Sequence, residues 1–165
     1  MTFLAVLAAA ATLLTSAAMT GVFFSFSTSV MPGLDALEPG GSVRAMQSMN
    51  EKILNPLFLT AFTAAPLAAV AAGVLLLLLG HGAAGLLFLA AAAVYLLGVL
   101  LPTAAVNVPM NEALAALAPP DAVGAWAGYR GRWTRWNSLR AACGAATVLL
   151  AGLGLYLWGR ATAHG

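Results

Sequence analysis

Charge is what this sequence has least of. Seven basic and five acidic side chains in 165 residues make it 7% charged and 62% hydrophobic, where an ordinary soluble domain carries roughly 25% charged residues. That balance excludes a water-facing surface over most of the chain and implies an integral membrane protein. The few arginines and lysines form no basic stripe, so nucleic acid is excluded as a partner. The single cysteine, Cys143, excludes an intramolecular disulfide. The two histidines, His81 and His164, have no ligand neighbours at useful spacing, and the pattern offers no metal set and no axial-histidine haem site. There is no CxxC and no phosphate-cradling loop. "GHGAAG" at positions 80–85 matches a dinucleotide fingerprint by letters only, because it joins two apolar segments without a strand. The residue pattern thus calls for no metal and no cofactor.

What is present is long charge-free sequence. No Asp, Glu, Lys or Arg occurs over 1–34, 53–111 or 141–159. A membrane-crossing helix needs about 20 mainly apolar residues, so the outer stretches hold one span each. The middle stretch holds two, divided at Gly80 to Gly85 where glycine permits a tight turn. The expected fold is all-α: one transmembrane domain over 1–165, a four-helix bundle with spans at about 3–27, 57–79, 84–106 and 139–158. The first segment has a small-residue site near Ser16 to Ala18 but no basic start, and apolar sequence continues through "GVFFSFS". It reads as a retained helix rather than a leader.

Four spans put the termini and the His81 turn on one side and two long helical connections, 28–55 and 107–138, on the other. Arg44, Lys52, Arg130, Arg132, Arg135 and Arg140 gather on that second side, against Arg160 alone on the first. The positive-inside rule then puts the connections in the cytoplasm and the termini outside, in an inner or plasma membrane of bacterial type. "VMPGLDAL" and "NVPMNEAL" each give a proline, an acidic residue three positions on, then Ala-Leu. This suggests two helical hairpins related by duplication, with Pro32 and Pro109 closing their helices.

Polar residues inside such a chain need a reason. Span one carries Thr12, Ser16, Thr20, Phe24 and Thr28 in steps of four, a stripe suited to interhelical packing or, at its last turn, to walling a cavity. In "RAMQSMNEKILNP", Gln47 and Asn50 share a flank; carboxamides both donate and accept, which suits a buried network more than a solvated face. Near the fourth span Trp126, Trp133, Trp136, Asn137 and Arg140 recur at helical steps. They compose either an aromatic belt with positive charge or one wall of a polar pocket that "NVPMN" faces.

Together "GVFFSFSTSVMPGL", "MQSMNEKILNP", "NVPMN" and "RWTRWNSLR" resemble the anthrone oxygenase-like family of small membrane proteins, over about residues 20–154. The resemblance implies oxygenation of an anthrone-type phenol to an anthraquinone with molecular oxygen, without metal or flavin. It carries over Gln47, Asn50, Asn55 and Pro56, and Asn107, Pro109, Asn111, Trp133, Trp136, Asn137 and Arg140. On this reading Trp133 and Trp136, with Gln47, Asn50, Asn55 and Phe24, hold a hydrophobic aromatic molecule. Arg140, Asn107, Asn111 and Asn137 stabilise its developing oxyanion. Glu51 and Glu112 are the nearest carboxylates to serve as base. A non-enzymatic carrier of a lipid, quinone or other hydrophobic small molecule is the alternative, and a homo-oligomer stays open.

Overall fold

The computed structural model describes residues 1–163, the side chain of residue 119 excepted; His164 lies outside them. Four helices are long and apolar enough to cross a membrane. They are α1 (Thr2–Asp35), α3 (Pro56–Leu78), α4 (Gly82–Ala116) and α5 (Pro119–Ala163); a shorter amphipathic helix, α2 (Pro39–Lys52), follows α1. No strand occurs among the described residues. The protein is an all-helical membrane bundle. The four form an up-down-up-down ring in which α1 packs on α3 and α5, and α4 on the same two.

Lipid tails are as apolar as leucine, so helices associate in a bilayer by close approach rather than by hydrophobic exclusion. The buried faces are accordingly rich in small residues: Ala5, Ala9, Ala65, Ala69, Ala72, Ala84, Ala91, Ala92 and Ala151. Among the glycines, the closest approach to a neighbouring backbone is between Gly73 of α3 and Gly85 of α4, where a Cβ added at Gly85 would lie 2.8 Å from the Gly73 carbonyl oxygen. At Gly82, one turn away, nothing stands within 4 Å. Gly85→Val therefore destabilises the bundle by about 1–3 kcal/mol, the usual cost of overpacking. Gly82→Ala leaves the thermal midpoint in detergent unchanged, and the pair of melting curves checks this. The α3–α4 turn needs glycine for a different reason, since Gly80 has φ 83°.

At 1.5 Å per residue, α3 is about 35 Å long and matches a hydrocarbon layer of about 30 Å. The other three are longer, roughly 50 Å or more by the same rise, and all protrude at the end away from Gly80. There the ends of α1 and α4, the start of α5, and α2 close over a second core of Met31, Leu34, Val43, Met46, Leu114, Ala122, Trp126, Tyr129 and Trp133. The two long connections are thus helix almost throughout. Only residues 36–38, 53–55 and 117–118 break them.

Pro32 and Pro109 do not end their helices, which corrects the expectation above. Each follows a π turn, Phe26–Val30 in α1 and Thr103–Asn107 in α4; a third, Leu96–Leu100, precedes Pro102. In all three the residue before the proline donates to the carbonyl five back: Met31 to Phe26, Leu101 to Leu96, Val108 to Thr103. The widened turn carries one extra residue and moves aside the carbonyl that a proline ring would strike in a regular helix. "VMPGLDAL" and "NVPMNEAL" share this local construction.

Candidate functional site

Between the membrane bundle and the core above it lies a cavity of about 640 Å³. Its back wall is α5. On a wheel of 100° per residue, Trp133, Asn137 and Arg140 fall within about 60° of one another, and all three are buried. Phe23 and Phe26 of α1 close one side, Asn107 and Asn111 of α4 the other, and Gln47 and Asn50 of α2 the top.

Arg140 is the centre of the arrangement. It is 5% exposed, and its guanidinium sits 4.5 Å from the Phe23 ring centroid and 5.6 Å from that of Trp133. Nη1 donates to Thr103 Oγ1 at 3.0 Å and Nη2 to Asn137 Oδ1 at 2.8 Å, while Nε has no partner among the described residues. The ion pairs among the described residues are Arg44–Glu38, Lys52–Glu51 and Arg130–Asp35, all well exposed; none involves Arg140. A buried cation with only neutral partners is costly, and an anionic or strongly polarised oxygen in the cavity would offset that cost.

The asparagines divide the remaining work. Asn137 is saturated: its Nδ2 donates to the Phe23 carbonyl at 2.6 Å and to Ser27 Oγ at 2.7 Å, and its Oδ1 accepts from Arg140. It holds the guanidinium in place. Asn111 Oδ1 accepts from Tyr129 Oη and Trp133 Nε1, each at 2.8 Å, which leaves its Nδ2 without a partner among the described residues. Asn107 is 1% exposed, and its Oδ1 has no partner among the described residues, whereas the buried Asn50 Nδ2 lies beside Tyr129 Oη. Gln47 Nε2 donates to the Leu114 carbonyl at 3.0 Å and ties α2 to α4. Unpartnered buried polar atoms are rare, and here two of them, on Asn107 and Arg140, belong to residues that line one cavity.

Three expected site residues are placed elsewhere. Phe24 is 60% exposed because steps of four advance 40° beyond a full turn each time; the buried series alternates three and four, through Thr12, Ser16, Met19 and Phe23. Phe23 and Phe26 take the position expected of Phe24. Trp136 falls outside the sector of α5 that faces the cavity and does not line it. Asn55 is exposed and caps α3, its Oδ1 accepting from Phe58 N at 3.0 Å and its Nδ2 donating to the Lys52 carbonyl at 3.0 Å. Thr103 was not anticipated, although it precedes Asn107 by four residues and so shares its face.

The two carboxylates at the rim differ. Glu51 is bound by Lys52 at 2.6 Å, and that hydrogen bond, with the ammonium charge behind it, lowers its pKa. Glu112 lines the cavity with no hydrogen-bond or ion-pair partner among the described residues. His81 lies at the far end beside Trp158, and no group of three or more His, Cys, Asp or Glu converges among the described residues.

No curated protein and no solved structure matches the chain. A family profile described as anthrone oxygenase matches residues 55–150, a stretch that includes Asn107, Asn111, Trp133, Asn137 and Arg140.

Proposed function

Because this chain belongs to the anthrone oxygenase family, we propose that it oxygenates a flat phenolic substrate of the anthrone type with molecular oxygen inside the membrane. The observation that supports this most is Arg140: a buried guanidinium without a carboxylate, set between aromatic rings on a cavity of about 640 Å³, within the roughly 300–1,000 Å³ usual for small-molecule sites. An anthrone loses a proton from its CH₂ carbon to give an anion whose charge rests on the carbonyl oxygen. Arg140 Nε and the Asn111 amide hold that oxygen, and Phe23, Phe26 and Trp133 flank the rings. Glu112, rather than the Lys52-bound Glu51, takes the proton.

The electron-rich anion then passes one electron to O₂, and the radical pair joins to form a C–O bond. Loss of the second proton from that carbon with cleavage of the O–O bond gives the quinone and one water. The balance is one anthrone and one O₂ to one anthraquinone and one H₂O. The protein supplies shape, donors and a proton acceptor. The exposed Arg132 and Arg135 on α5 support a cytoplasmic site end on the positive-inside rule. Arg140 is excluded from that count, being part of the site.

Purified protein in lipid vesicles is expected to consume O₂ and form quinone from an anthrone in a 1:1 ratio, and to keep doing so after exhaustive dialysis against EDTA. Saturable binding of the anthrone without oxygen uptake would replace the enzyme with a carrier. Loss of turnover on chelation, restored by iron or copper, would replace this chemistry with a metal-based one.

A further inference from the structure

The cavity is buried along α1 and α5 and open on one side. Its exposed lining residues are Ser48, Glu51 and Leu54, on α2 and its exit turn, and Val108, Glu112 and Ala115 on α4. The mouth is therefore the gap between α2 and α4, and its rim is divided. Leu54 (62% exposed) and Val108 (38% exposed) are large and apolar; Ser48, Glu51 and Glu112 are polar, and the small Ala115 follows Glu112 on α4.

The height of the apolar part can be fixed. Leu54 stands two residues before Pro56, where α3 enters the layer it spans, and Leu57 in the first turn of α3 is 82% exposed, a degree of exposure suited to lipid. The Gly73–Gly85 approach sets the register of the antiparallel α3 and α4. Counting along both helices from it brings Leu54 and Val108 to within about one turn of each other. The apolar rim thus meets the edge of the hydrocarbon, and the carboxylate rim meets headgroups and water.

We propose that this mouth is a portal from the bilayer. It admits a flat apolar molecule bearing one ionisable oxygen, which slides from the membrane between Leu54 and Val108 and brings its oxygen to Arg140 without crossing water. The proposal rests on the reading of the cavity as a substrate site and adds the route. Two features favour the lipid side. A fused aromatic system is driven into the bilayer by its own apolar area, and an ionised molecule arriving from water meets the like charge of Glu112 at the rim.

The test is the association rate of 1,8-dihydroxyanthraquinone, a non-reactive probe, with protein in phosphatidylcholine vesicles, followed by the probe's own fluorescence. Leu54→Trp and Val108→Trp narrow the apolar rim. Both should slow association at least tenfold while changing the dissociation constant less than threefold, since entry and exit slow together; the retained affinity shows that the variants are folded. Leu57→Trp, exposed but outside the lining, should stay within twofold of wild type. Wild-type rates in the Leu54 and Val108 variants, or slowing confined to Ser48→Trp, would overturn the portal and leave the substrate-site reading standing. Absence of saturable binding to the wild-type protein would overturn that reading, and the portal with it.

Discussion

Arg140→Leu abolishes oxygen uptake, lowering turnover by about 10²–10³-fold or more, while the protein purifies and melts as wild type. The size follows from what is removed. A preorganised donor facing developing negative charge is worth about 3–4 kcal/mol, and Arg140 is the only charged donor on the buried wall. Stability changes little because the cost of burying an unpaired guanidinium is relieved, which offsets the hydrogen bonds lost at Thr103 and Asn137. Arg140→Lys keeps the charge but loses the fork that spans Thr103 and Asn137, so it retains intermediate activity. Oxygen uptake with a detergent melting curve for each variant decides the matter. Near-normal turnover in the leucine variant would remove Arg140 from the chemistry.

The second large effect comes from giving Arg140 the partner it lacks. Thr103 Oγ1 already accepts from Nη1 at 3.0 Å, so Thr103→Asp sets a carboxylate beside the guanidinium. The ion pair that forms competes with the substrate oxygen for the same positive charge. Turnover should fall about 100-fold or more, the lower end of what one oxyanion donor supplies, with the thermal midpoint held or raised. Thr103→Asn, the neutral near-isostere, should cost less than about tenfold on the same scale. Equal losses in the two variants would show that the threonine contributes shape alone and that the unpaired charge is incidental.

The bundle was legible because charge avoidance is a long-range signal: the apolar cores of all four crossing helices can be read from where Asp, Glu, Lys and Arg stop. The helix ends were not. Pro32 and Pro109 read locally as terminators, and nothing in the letters announces the π turns that let the helices continue past them. Within the site, the residues that lie within a 60° sector of one helix, such as Trp133, Asn137 and Arg140, were accessible to a periodicity argument. Phe24 was misplaced because a constant step of four drifts around the helix. Trp136 and Asn55 matched the motifs but not the geometry. One lies just outside the cavity-facing sector, and the other spends its amide on joining α2 to α3. Thr103 was invisible among apolar neighbours until Arg140 was seen to donate to it.

The π turns also separate the pocket from the bundle. Each amounts to one inserted residue, and α4 contains two of them upstream of Val108. Deleting a single residue there would leave the glycine and alanine contacts of the membrane half as they are, yet swing Asn107 and Asn111 by about 100° around their axis, away from Arg140. Among chains of this architecture, the number of residues between the Gly85 crossing and the proline of "NVPMN" therefore sets whether the two asparagines reach the guanidinium, independently of whether the asparagines themselves are kept.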